Sequence, residues 1–212
     1  MIVAASTSKI ACFWFLAVVS CLMDLGSKEW IFANLPGQLK PVPGHYLGAH
    51  RTLWQATEQV DNEGGQTVPP GFHLHIAYTV DEQGRQVPHV NQGALFGMGG
   101  AAWQGLANAM FALVSLLVAV ALGLYVSLWP QNPSWMLVTA LGLVAGGAVG
   151  NLIDRVRFSG VRDFLHWNYL FDWPVFNVAD VFLVVGAGLI LLVGIGSPAP
   201  VTKETGNLSE NP

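Results

Sequence analysis

Charge is what this chain has least of. Asp, Glu, Lys and Arg together make up 10% of its 212 residues, against about a quarter in soluble domains. With 52% hydrophobic residues and a mean hydropathy of +0.47, that deficit excludes an ordinary soluble domain. The net charge of −4 comes with no run of Lys and Arg, which excludes nucleic acid as a partner. Cysteine is scarce too. Cys12 and Cys21 sit in one apolar stretch, too far apart on a helix to meet, so no disulfide framework is expected. There is no internal repeat and no Ser/His/Asp arrangement suited to nucleophilic catalysis.

What is present is apolar length. A bilayer core needs about 20 apolar residues per helix, and four stretches supply them: residues 10–35 ("IACFWFLAVVSCLMDLGSKEWIFANL"), 105–129, 134–156 and 176–196. "PQNP" separates the second from the third, since Pro cannot continue a helix interior. A cleaved leader at the first stretch, suggested by "VVSC", is set aside: Lys9 is the only basic residue before it, and Asp24 and Lys28 continue the helix. The tail, 197–212, is polar and Pro-rich and is expected to be disordered. The polar region 41–98 carries turn signals in "PVPGH", "DNEGG" and "VPPG". Within it "FHLHIAYTV" alternates, "DEQG" turns and "RQVPHV" follows, which predicts a β-hairpin. The expected fold is therefore one integral membrane domain over 1–212: an all-α membrane protein of four transmembrane helices with a small β-rich layer.

Several polar residues stand where a membrane helix should have none. Asp24 and Lys28 lie four apart in "DLGSK". Asn91 and Gly93 stand in "NQGALFG". Asn151, Asp154 and Arg155 stand in "GGAVGNLIDR", and Asn177 and Asp180 in "FNVAD", with Asp163 in the link "SGVRDF". Each has an ordinary role open to it: Asp24 can pair with Lys28, Asp154 with an Arg, Asn177 can cap the fourth helix, and Asp180 is favoured by the helix dipole. As a set they are harder to dismiss, because intramembrane ionisable groups face cavities or each other. A short link makes the third and fourth helices antiparallel neighbours, which brings Asn151, Asp154, Asp163, Asn177 and Asp180 to one level. The small residues of "GLVAGGAVG" favour close packing there.

Two carboxylates sharing one site cannot both ionise cheaply, so one holds a proton. Such a pair can activate water against a peptide carbonyl. Spacing alone leaves both Asp154 and Asp163 open as the partner of Asp180. His45, His50, His73, His75 and His89 fall in the polar region. His73 and His75 would share a strand face, but no acidic or Cys ligand stands at a familiar spacing, so no metal and no cofactor are expected.

Through "DLGSK", "NQGALF", "GGAVGNLIDRVRFSGVRDF" and "PVFNVAD", in that order, the chain resembles the lipoprotein signal peptidases (signal peptidase II), bacterial intramembrane aspartic proteases. The resemblance implies Asp163 and Asp180 as the catalytic pair, with Asp24, Lys28, Asn91, Gly93, Asn151, Asp154, Arg155 and Asn177 binding substrate or supporting the site. It implies a diacylglyceryl-modified prolipoprotein as substrate, cut just before the lipidated Cys, in contact with membrane lipids. It places a monomer in the inner membrane with both termini and the tail cytoplasmic, and the site and polar region extracytoplasmic. Charge bias argues the other way: Arg155, Arg157 and Arg162 lie between the last two helices, which counting positives would put in the cytoplasm. The polar region is longer than the family's usual one by roughly residues 44–89. Two other readings differ in class. A small proton or cation transporter would use the Asp and Asn cluster as a path; a non-catalytic assembly factor would use it only to hold helices together.

Overall fold

The computed structural model describes residues 7–35, 47–55, 70–80, 83, 85–93, 101–128 and 133–196. The apolar stretches form four helices long and apolar enough to cross a membrane: α1 (Thr7–Asn34), α2 (Ala101–Leu128), α3 (Trp135–Phe158) and α4 (Val178–Gly196). Ser134 caps α3, its Oγ accepting from Leu137 N at 3.2 Å. The helix ends at Ser159, whose left-handed backbone (φ 57) turns the chain back.

α3 is the central helix, packed against α1, α4 and α2. Its glycines explain how. A Cβ on Gly146 would lie 2.5 Å from the Ala17 carbonyl oxygen of α1, and one on Gly147 would lie 2.7 Å from the Ala179 carbonyl oxygen of α4. Small residues thus let two helix backbones approach α3 on different faces, as lipid-embedded packing favours. Along α1 the buried residues Phe13, Ala17, Ser20, Asp24, Lys28 and Ile31 recur at three- and four-residue steps. Past Lys9, which is also buried at the start of the helix, that stripe is apolar, packing Phe13 and Ala17 on Val138, Leu141 and Ala145, and it becomes charged again toward the C-terminal end.

The β-rich layer is built on β2 (Gly71–Val80). β1 (Leu47–Gln55) pairs antiparallel along one edge. On β2's other pairings, β4 (Leu165–Trp167) takes Phe72–Leu74 and β3 (Gln86–Pro88) takes Tyr78–Val80. The expected hairpin is β2–β3; β1 and β4 were not foreseen. Leu74, Ile76 and Tyr78 of β2 share a face and pack with Ile31 and Phe32 at the end of α1, Val178 at the start of α4, and Phe164 just before β4. One face of the sheet therefore sits on the helix bundle. The tail, 197–212, and the loop around "DNEGG" lie outside the described residues.

Candidate active site

The charged end of α1 meets α3 and α4 in one buried network. Lys28 Nζ lies 2.7 Å from Asp24 Oδ2, 3.4 Å from Asp154 Oδ2, and donates to Asn151 Oδ1 at 3.1 Å. All three of Asp24, Lys28 and Asp154 are fully buried. Asp24 also accepts from the Ala179 backbone N–H through Oδ1 at 3.0 Å, so a side chain of α1 holds the first turn of α4. That contact needs Gly150, where a Cβ would stand 2.5 Å from Asp24 Oδ2.

Asp154 is engaged by Arg162, a residue whose role does not show in the sequence. Arg162 Nη2 donates to Asp154 Oδ1 at 2.9 Å and its backbone N–H to Oδ2 at 3.0 Å. The same guanidinium reaches Glu29 Oε1 at 3.1 Å. Burial disfavours the Arg162 cation, but its bonds to Asp154 and then Glu29 outweigh that and hold its pKa above the ordinary value. The turn at Ser159 makes this possible by folding the chain back over the end of α3.

Asn177 and Asp180 cap α4 reciprocally. The Asp180 N–H donates to Asn177 Oδ1 at 3.1 Å, and the Asn177 N–H donates to Asp180 Oδ2 at 3.1 Å. The Asn177 amide nitrogen then reaches outward, to Asp163 Oδ1 at 2.7 Å and Asn151 Oδ1 at 3.2 Å. Asn151 Nδ2 donates to the remaining Asp180 oxygen at 2.9 Å. Asp163 Oδ2 accepts from Asn91 Nδ2 at 3.0 Å. The chain segment carrying Asn91 is held by a backbone bridge to Val161, with N–O distances of 2.7 and 2.8 Å. Asn91 Oδ1 in turn accepts from the N–H of Gly93, which adopts φ +79 beneath the Phe111 ring.

The Asp163 pKa is pushed up to about 6. Burial is the main cause and the nearby Asp180 adds to it, while bonds from Asn177 and Asn91 and the charge of Lys28 partly offset them. Arg155 lies over the Phe111 ring at 5.0 Å and bonds Asn108 Oδ1 at 3.4 Å; its buried Nε has no hydrogen-bond partner among the described residues. Asn108 and Phe111 went unremarked in the sequence, although Asn108 interrupts a strongly apolar run. A cleft of about 550 Å³ opens at Asp163, lined also by Asn91, His75, His89, Gln104 and Pro174. Among the described residues no three His, Cys, Asp or Glu side chains are grouped as metal ligands.

The structure thus brings Asp24, Lys28, Asn91, Asn151, Asp154, Asp163, Asn177 and Asp180 into one connected network. Gly93 is attached through Asn91, and Arg155 stands beside it. Four apolar helices with this polar cluster at the ends of three of them define a multi-pass membrane protein with a site where the helices meet the sheet.

The model of the signal peptidase (SPase) II family matches residues 16–195. The lipoprotein signal peptidase of Gloeobacter violaceus is 30% identical over 210 residues, covering 96% of this chain and 95% of the relative. That of Rhodopirellula baltica is 39% identical over 202 residues, covering 89% and 74%. That of Syntrophotalea carbinolica is 42% identical over 108 residues, 48% of this chain but 62% of the relative, less than two thirds of its length. The fold is shared with a bacterial membrane enzyme solved by the in meso method at 1.9 Å resolution: 22% identity, TM-score 0.57, covering 93% of this chain and 99% of that one. The chain belongs to the signal peptidase II family, the lipoprotein signal peptidases. Membership makes it a multi-pass protease of the bacterial inner membrane, and removal of prolipoprotein signal peptides is the activity it carries.

Proposed function

We propose that this protease works by an aspartic dyad, Asp163 and Asp180, on prolipoproteins whose Cys carries diacylglycerol, and cuts just before that Cys. The observation that carries the reading is Asn177, whose side chain donates to Asp163 while its backbone N–H donates to Asp180. One residue thereby presents two carboxylates from different elements to one point, and one of them has a raised pKa.

Asp163, the carboxyl pushed up to about 6, is the natural holder of the shared proton, and Asp180 is the base. Asp180 takes a proton from water as the water oxygen attacks the scissile carbonyl carbon, and the Asp163 proton goes to the carbonyl oxygen. The tetrahedral carbon then collapses: one of its hydroxyl protons returns to Asp163 as the C=O bond reforms, the C–N bond breaks, and the leaving nitrogen takes the proton held by Asp180. Asn151, Asn177 and Asn91 fix the carboxylates by direct bonds. Asp24 and Lys28 brace the start of α4 through Ala179 and Asn151. Asn91 and Gly93 line the site, Arg155 supports it from beside the network, and Asp154 is held to Arg162 in a supporting role. The mechanism calls on no metal or cofactor.

The monomer acts with both termini cytoplasmic and the cleft on the extracytoplasmic side, in contact with membrane lipids. A Cys introduced at Gly64 is expected to be labelled from outside and one at Thr202 is not; the opposite pattern overturns the orientation. The reaction is tested by mixing purified protein with diacylglyceryl-modified prolipoprotein and scoring the loss of the signal peptide by size. Cleavage of the modified precursor and not of its unmodified form supports the reading. Ion movement without cleavage would favour the transporter instead.

A further inference from the structure

The sheet has an apolar row that the catalytic reading does not use. Trp54 of β1 and Trp167 of β4 both pair with Phe72 of β2, so the three side chains share one face. It is the face that Leu74, Ile76 and Tyr78 present to the ends of α1 and α4. The row therefore continues the bundle-packing surface beyond the bundle's edge. Trp54 stacks against Trp167 with ring centroids 6.0 Å apart, and Tyr169 packs edge-on to both. Next to this row, Phe72, Trp167, Phe171, Trp173 and Phe176 line an apolar cavity of about 260 Å³.

The loop after β4 adds a second, independent feature. Trp173 N–H donates to the Trp167 carbonyl at 2.8 Å, which closes residues 167–173 into a tight loop. At its tip Leu170 adopts φ 65, a left-handed conformation that costs energy in a non-glycine residue. The strain presents apolar side chains outward: Leu170 is 84% exposed, with Phe171 and Trp173 more than half exposed. His166 Nε2 lies 2.7 Å from Asp172 Oδ1 and ties the loop back to the sheet. Phe176, in the wall of the same cavity, stands two residues before α4 enters its membrane span at Val178.

We infer that the Trp54–Phe72–Trp167 row and the Leu170–Trp173 tip form an anchor that seats the sheet on bilayer lipid, in the leaflet on the active-site side. Aromatic side chains favour that boundary, with their ring bodies in acyl chains and their polar edges among headgroups. The occupant of the cavity is an alkyl chain of bulk membrane lipid, because the walls offer aromatic surface next to the point where a membrane helix begins. Trp54 belongs to the long polar insert, so through this anchor the insert fixes the height of the cleft above the bilayer.

The inference does not depend on the aspartic chemistry, and the experiment reads lipid contact directly. A Leu170→Cys variant, with Cys12→Ala and Cys21→Ala, is labelled with a small fluorophore. It is reconstituted in phosphatidylethanolamine–phosphatidylglycerol vesicles carrying a nitroxide high on the acyl chain. Strong quenching by the nitroxide lipid and weak quenching by aqueous iodide is expected, with the reverse at an Arg85→Cys control, an exposed position just before β3. Iodide quenching at 170 equal to the control overturns the inference. So does shielding from iodide without lipid quenching, which would put another protein chain on this face. A variant with Leu170, Phe171 and Trp173 all replaced by Ser supplies a second readout that needs no label. Its KM for vesicle-embedded substrate is expected to rise about tenfold with kcat kept, and to be unchanged in detergent micelles. An unchanged KM in vesicles also overturns the inference.

Discussion

Replacing Asp163 by Asn is expected to change the sign of its effect on stability with pH. The folded-state pKa of Asp163 is about 6, raised from 3.8. A folded state that holds the proton more tightly than the unfolded one loses stability as pH rises between those two values. At 1.36 kcal/mol per unit, the ionised carboxylate costs up to about 3 kcal/mol above pH 6 and nothing below pH 4. Asn carries no charge and escapes that cost. It also presents an NH₂ to donors, because Asp163 accepts from Asn177 and from Asn91, and one lost hydrogen bond costs about 1 kcal/mol. The balance is a gain of about 1–2 kcal/mol at pH 8 and a loss of about 1 kcal/mol at pH 4. Thermal unfolding of wild type and Asp163→Asn in the same detergent, scanned from pH 4 to 8, measures it. The melting curves should cross, with the variant melting about 2–6 °C higher at pH 8. A difference that keeps one sign and size across the range would show that Asp163 is not a buried carboxyl with a raised pKa.

Two further substitutions test the bracing around the dyad. Gly150→Ala puts a methyl 2.5 Å from Asp24 Oδ2, and overpacking of this kind costs about 1–3 kcal/mol. Turnover should fall with it, because Asp24 holds the Ala179 N–H beside Asp180. Gly188→Ala, where nothing lies within 4 Å of the added Cβ, is the matched control, and equal melting temperatures for the two would refute the contact. Asp154→Asn leaves Arg162 and Lys28 short of a buried counter-charge and should cost about 3–5 kcal/mol, with activity reduced in part. A variant fully stable yet wholly inactive would instead make Asp154 the partner of Asp180.

The helices were legible because lipid leaves little choice: a long apolar run must satisfy its backbone internally. The hairpin was legible through alternation in "FHLHIAYTV". β1 was not, since "LGAHRTLWQ" takes its strand form from pairing with β2, and three-residue β4 is too short to show a period. The polar set was visible as a set, but its wiring was not. The sequence offers Asp154 an Arg partner without showing which; Arg162 takes the role because the left-handed turn at Ser159 folds it back. In the sequence Asn177 reads only as a cap, and it is one, but its amide hydrogens also join two other elements. Asn108 and Phe111 were missed because their partners, Arg155 and Gly93, are remote in the chain.

The central claim is that Asp163 and Asp180 act as one unit on the scissile bond. Single-turnover cleavage of diacylglyceryl-modified prolipoprotein, at saturating substrate, tests it in the two Asp→Asn variants and their combination. Each single variant should lose nearly all of the rate while remaining folded in the membrane. The double variant should be little slower than either, because removing one member already disables the pair. Near-full turnover in either single variant, or losses in the two that multiply in the double, would contradict the account.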